Sequence, residues 1–215
     1  MEPTLTAYPA ARTGLVVIDV LNDFLAEGGK ATPFVKEVVD GVQLVGNLQR
    51  LLAGARAAGV RVFYAPHRIN AQSYLGWRYL TPTASRTRDY QMFWEGSWGA
   101  DYFAALAPQP GDHLIAPHRG ASAFVSTDLD AQLRQNGIEH VVLAGMAANT
   151  CVEATGRYAV EMGYHVTFLK DAVAADAWES QRAAVEVNYP RIGHAVLTID
   201  KLLAQLDRPS MAELD

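Results

Sequence analysis

The chain has 215 residues, half of them hydrophobic and 19% charged, with a formal net charge of −5. That length suits one domain with a full core, and that composition excludes a disordered or low-complexity chain. The acidic balance, with no basic cluster against it, argues against nucleic acid as a partner; the single cysteine, Cys151, excludes an internal disulfide.

No apolar run approaches the roughly 20 residues of a membrane span, and the opening residues MEPT lack the basic and apolar regions of a signal peptide. A cytoplasmic protein without a membrane partner is the expectation.

Residues 14–20 form a short apolar run rich in β-branched residues, the mark of a parallel strand buried on both faces. A helix is predicted over 34–58, where Val38, Val42, Val45, Leu48, Leu51, Leu52 and Ala55 recur at helical spacing and Gly59 is a natural stop. A second strand covers 60–65. From 66 to 110 the pattern is irregular and rich in aromatics, including Tyr74, Trp77, Tyr79, Tyr90, Phe93, Trp94 and Trp98, which reads as a functional insertion or lid. Alternation then resumes with a strand at 113–116 and a helix at 127–136, capped near Thr127 or Asp128 and stopped by Gly137. A strand at 140–145, a helix at 150–162, a strand at 164–169, a helix at 177–187, a strand at 195–198 and a helix from Asp200 complete the series. Strands alternating with helices predict an α/β fold: a parallel sheet covered by helices on both faces, in a single domain over 1–215.

In open parallel sheets, ligands bind beyond the carboxyl ends of the strands. Asp19 ends the first strand, His118 follows the strand at 113–116, and Cys151 follows the strand at 140–145. An acid, a base and a thiol brought to one sheet edge are the parts of an activated nucleophile. Cys151 also falls near the first turn of a helix, where free N–H groups and the macrodipole favour a thiolate over a thiol. Each residue has a plainer reading as well. A lone cysteine is often a small buried hydrophobe, Asp19 suits a loop cap, and His118 suits a surface loop beside Arg119. His67 also follows a strand end and competes for the base role, while Asp171 reads as a strand end capping the segment to Asp176.

Taken together, these motifs resemble the isochorismatase-like cysteine hydrolases. The resemblance rests on LVVIDVLNDF at 15–24, SAFVSTDL at 122–129 and GMAANTCV at 145–152, continued by EATGRYA at 153–159, GYHV at 163–166 and Asp171-Ala172. It implies a three-layer sandwich with a six-stranded, mostly parallel sheet, and an Asp–Lys–Cys triad in which Asp19 and Cys151 match the acid and the nucleophile. It also implies a cis peptide at Met146–Ala147, with the Ala147 and Cys151 N–H groups forming the oxyanion hole. The family lysine falls where this chain has His118, followed by Arg119. The only lysines are Lys30, Lys36, Lys170 and Lys201. The site implied is therefore Asp19, His118 and Cys151, with Arg119 as an alternative source of permanent charge. Either Asp19 or His118 takes the thiol proton.

Leu21 replaces a glutamine found in many relatives. The segment 66–70 lacks the Asp-x-His cluster with which nicotinamidases of the family bind metal, so no metal or other cofactor is expected, and nicotinamide is a poor substrate candidate. Phe24, Trp94, Trp98 and Arg119 are the side chains expected to touch substrate, with Arg86 and Arg88 as further candidates for holding a carboxylate. The expected activity is amide hydrolysis of a small non-peptide amide, ureide or carbamoyl compound through a thioester on Cys151. Vinyl-ether hydrolysis of an isochorismate-like compound and a catalytically inactive binding or assembly protein are the alternatives. Resemblance also implies a homodimer or homotetramer.

Overall fold

The computed structural model describes residues 8–207. Its centre is a six-stranded sheet of β1 (Thr13–Ile18), β2 (Arg61–Ala65), β3 (His113–Leu114), β4 (His140–Met146), β5 (His165–Ala174) and β6 (Ala195–Leu197). The spatial order is β3-β2-β1-β4-β5-β6, and every neighbouring pair runs parallel. The chain thus winds outward from β1 to β3, then crosses back to place β4 on the other side of β1. Doubly wound sheets bind their ligands at this reversal, outside the carboxyl ends of the strands. Asp19 leaves β1 there and Cys151 follows β4.

The α-helices of five or more residues are α1 (Thr32–Gly41), α2 (Leu44–Ala57), α3 (Pro82–Asp89), α4 (Leu129–Gln135), α5 (Glu153–Glu161), α6 (Trp178–Arg182) and α7 (Ile199–Gln205). Strand alternation divides the core between two layers. Leu15, Val17, Val62, Tyr64, Val142 and Ala144 pack against residues of α1, α2 and α7. Val16, Ile18, Phe63, Ala65, Val141 and Leu143 pack with α4, α5 and the segment that continues α6 through Tyr189. Both faces of the central strands are therefore apolar, which is why these runs lack the polar alternation of a half-exposed sheet.

Three differences from the predicted elements have local causes. The helix expected over 34–58 is two helices, because Gln43 adopts a left-handed φ of 53° between them. That conformation interrupts the i→i−4 ladder, while both helices still face the sheet and keep the apolar period intact across the break. Within 66–110 the chain forms α3, whose start is set by Thr81 and Pro82: the Thr81 hydroxyl accepts the Ala84 N–H at 3.2 Å and proline occupies the first turn. Finally, β5 runs on to Ala174, so Asp171 lies inside it. Its carboxylate accepts the Ile199 N–H at 3.0 and 3.2 Å and caps α7 rather than the segment reaching Asp176.

Candidate active site

At the end of β1 the chain turns sharply at Asp19, which has a φ of 55°. Across from it, Gly145 on β4 has a φ of +114°, and a Cβ there would sit 2.0 Å from the Ile18 carbonyl oxygen. Only glycine allows the two strands to approach so closely where both end.

Asp19 is enclosed, at 1% exposure. Its Oδ1 accepts two hydrogen bonds, from the His67 backbone N–H at 2.6 Å and from His118 Nε2 at 3.0 Å. Its Oδ2 is buried without a hydrogen-bond partner. The loops carrying the two histidines are themselves joined, since the His118 N–H donates to Pro66 at 3.0 Å and the Arg68 N–H to the His118 carbonyl at 3.1 Å.

His118 is fully buried. Its second nitrogen, Nδ1, lies 2.7 Å from the Gly120 carbonyl. A carboxylate and a carbonyl are both acceptors, so a ring that bonds to both carries a hydrogen on each nitrogen and is an imidazolium. Burial works against that charge, but the Asp19 carboxylate, through its charge and hydrogen bond, and the Gly120 carbonyl outweigh it and raise the His118 pKa above its ordinary 6.5. His67 behaves oppositely. Burial, with the charge of His118 adding to it, lowers its pKa to about 4 and leaves its ring neutral. Its contribution to Asp19 runs through its backbone, not through its imidazole.

Cys151 is half-buried, in a wide turn (Ala148–Val152) that leads into α5. The Tyr189 hydroxyl pins this turn through the Ala148 carbonyl at 2.7 Å, and Thr155 Oγ1 accepts the Ala123 N–H at 3.0 Å, joining α5 to the loop of His118. The Met146–Ala147 peptide is cis, as the resemblance implied. The thiol pKa does not fall as its position near a helix start suggests. Burial raises it well above the ordinary value, and the nearby Asp19 carboxylate pushes it further the same way. The resting side chain is a thiol.

Ala147, Asn149 and Thr150, which flank Cys151, line a cavity of about 160 Å³ whose apolar wall includes Phe24 and Phe93. Its size is below the range of drug-sized pockets, roughly 300 Å³ and above. Phe93 stands edge-on to His67 with ring centroids 5.4 Å apart, and its N–H donates to Asp23 Oδ2 at 2.5 Å. A larger hollow of about 590 Å³ lies on another side of Phe24, lined by Glu27, Lys36 and Asp40 among others, and includes none of Asp19, His118 and Cys151.

Asp19 thus bonds to His118 and its carboxylate acts on the Cys151 thiol, and of the four side chains expected to hold substrate only Phe24 lines the cavity. Trp98 sits on a surface turn, 54% exposed. Trp94 is fixed by backbone pairing with Ile69, and Arg119 lies over the Trp77 ring at 5.9 Å. Sequence reasoning passed over Asp23 and the contribution of α3 to the cavity. Asp23 is buried at 1% exposure and also accepts the Lys30 N–H at 2.9 Å, and an acid repeated four residues after Asp19 was its signal.

A family profile described as the isochorismatase domain matches residues 13–200. Ureidoacrylate amidohydrolase RutB of Pantoea ananatis (strain LMG 20103) is 31% identical over 196 residues, spanning 86% of this chain and 78% of that protein. Among solved structures, a cysteine hydrolase from Pseudomonas syringae pv. phaseolicola 1448A is 28% identical, with a TM-score of 0.76 over 95% of this chain and 98% of its own. N-carbamoylsarcosine amidase from Thermoplasma acidophilum is 27% identical, with a TM-score of 0.67 over 88% and 97%. Profile, sequence and fold agree, and the chain belongs to the isochorismatase family.

Proposed function

We propose that this protein is a cysteine-dependent hydrolase of small non-peptide amides, ureides or carbamoyl compounds, working through a thioester on Cys151. The observation that carries the reading is the open Oδ2 of Asp19 beside a protonated thiol, with Oδ1 already held by His67 and His118. Since His118 carries hydrogens on both nitrogens, Asp19 is the group with room for the thiol proton.

The proton passes from Cys151 Sγ to Asp19 Oδ2 as sulfur attacks the carbonyl carbon, and the carbonyl electron pair moves onto oxygen. The Ala147 and Cys151 N–H groups receive that oxyanion, a type of stabilisation worth about 3–4 kcal/mol per donor. His118 remains an imidazolium, orienting Asp19 and offsetting negative charge where the family lysine does so. The carbonyl re-forms, the C–N bond breaks, and the proton on Asp19 goes to the departing nitrogen, which leaves as ammonia or an amine. Water then attacks the thioester and gives a proton to Asp19. The C–S bond breaks, the acid or carbamate leaves, and the thiolate recovers its proton from Asp19.

The test is ammonia release across a panel of small amides, ureides and carbamoyl compounds, with intact mass recorded during turnover. A covalent adduct on the wild type, and turnover abolished in Cys151→Ala, are expected. Turnover retained by Cys151→Ala, or binding without turnover by the wild type across the panel, overturns the reading.

A cytoplasmic homodimer or homotetramer is proposed alongside. A single thiol that must remain reduced suits a reducing compartment, and the large apolar residues Tyr158, Trp178 and Val187 are 41%, 37% and 46% exposed. A monomeric mass by light scattering overturns the assembly, and secretion of the native chain overturns the location.

A further inference from the structure

The cavity beside Cys151 has one cationic side chain in its wall. Arg86, on α3, lines it together with Thr83 and Thr87, and with Ala147, Asn149 and Thr150 beside the nucleophile. The guanidinium lies over the ring of Phe34, another wall residue, 5.5 Å from its centroid. Stacking of this kind holds the planar group in place and leaves its N–H edge free. Among the described residues no carboxylate pairs with Arg86, which is the one arginine in this cavity wall. The one carboxylate in the cavity wall, Asp176, accepts a hydrogen bond from Asn149 Nδ2 at 3.3 Å. An unpaired guanidinium stacked on Phe34 thus lines a cavity that also carries Ala147, Asn149 and Thr150, the residues flanking the nucleophile, and that is sized for a small molecule.

Resting on the hydrolase reading above, we propose that Arg86 binds a carboxylate of the substrate and so selects small ureido or carbamoyl acids over their uncharged counterparts. Guanidinium and carboxylate match as two parallel N–H···O bonds, which fixes orientation as well as charge. With the acid end held at α3, the carbamoyl carbon of the same small molecule is directed toward the Ala147–Cys151 side. Arg86 is exposed, so the pair is partly screened by water and the preference it confers falls with added salt.

The probes are 3-ureidopropionate and its primary amide, 3-ureidopropionamide, which differ only in the charge at one end. The wild type is expected to prefer the acid, measured by kcat/KM for release of its carbamoyl group, which both probes share. In Arg86→Gln that preference is expected to fall about tenfold or more, chiefly through KM, as loss of a charge-assisted pair predicts. Arg86→Lys is expected to recover part of it. An equal fall on both probes, or an unchanged preference, overturns the proposal while leaving the hydrolase reading intact. Calorimetric binding to Cys151→Ala separates the two claims. Acid binding that Arg86→Gln weakens, in a protein whose wild type turns over neither probe, supports Arg86 and counts against hydrolysis. Equal binding of acid and amide to Cys151→Ala overturns the role of Arg86.

Discussion

His118 Nε2 lies 3.0 Å from Asp19 Oδ1, and neither side chain is exposed to solvent. A buried ion pair is not stabilising by default, because two charges have left water to form it. Here the pair is completed by the His67 N–H on one side and the Gly120 carbonyl on the other, so most of the polar atoms involved are satisfied. The exception is Asp19 Oδ2, which faces the chemistry.

Removing one partner leaves the other uncompensated. His118→Ala is expected to cost about 3–5 kcal/mol in urea unfolding and to lower turnover at least about a hundredfold. His118→Gln keeps a hydrogen-bond donor without the charge. It is expected to fold, by circular dichroism, yet to lose turnover to a similar degree. Wild-type turnover in His118→Gln would show that the imidazolium has no part in the reaction.

Stability should fall on both sides of neutral pH. His118 has a folded pKa above 6.5, so its contribution is complete below pH 6.5 and is lost as pH rises through the raised value. His67, lowered to about 4, is buried as a neutral ring, so stability is lost as pH falls from 6.5 toward 4. His165, lowered to about 4 by burial and by His140 and His194, adds to the acid side. Urea midpoints between pH 4 and 9.5 are expected to show both limbs, with His118→Gln flattening the alkaline limb and His67→Gln reducing the acid one.

Alkylation of Cys151 by iodoacetamide, followed by whole-protein mass, reports one thiol. It is expected to be slow at neutral pH and to accelerate only above the ordinary range for cysteine, because burial and the Asp19 carboxylate hold the proton on sulfur. Asp19→Asn removes the carboxylate. This variant is expected to alkylate at lower pH than the wild type while losing turnover, a pairing that a merely structural Asp19 would not produce. Rapid wild-type alkylation below pH 7 would contradict the assignment of a resting thiol.

Two backbone positions give opposite expectations. Gly145→Ala places a Cβ 2.0 Å from the Ile18 carbonyl at a φ of +114°, and is expected to cost about 3 kcal/mol or more. Gln43→Gly relieves a left-handed residue on the surface between α1 and α2, and is expected to stabilise by up to about 1 kcal/mol. Denaturant midpoints of the two variants check both signs.

The central strands were legible because burial on both faces leaves a continuous apolar signature, seen in 14–20 and 140–145. Asp19 and Cys151 were legible because each follows such a strand. The break at Gln43 was hidden, since two helices packed on one layer preserve a single apolar period. Helix α3 carried its own signal in Thr81-Pro82, yet the surrounding aromatics masked it. Trp94 and Trp98 lie in an irregular segment, where side-chain direction depends on backbone pairing such as that of Ile69 with Trp94, which residue type does not encode.

From the sequence alone came the α/β class, the sheet edge that carries the chemistry, and the replacement of the family lysine by His118. These follow from local pattern and order along the chain, which strand burial and motif spacing encode directly. The protonation of the site required the tertiary structure. Whether His118 is charged depends on Gly120 and Asp19 being on opposite sides of its ring, and whether Cys151 is a thiol depends on burial and on the Asp19 carboxylate. Charge states in a buried site are set by neighbours distant in sequence, and only the fold brings residues 19, 67, 118 and 151 within reach of one another.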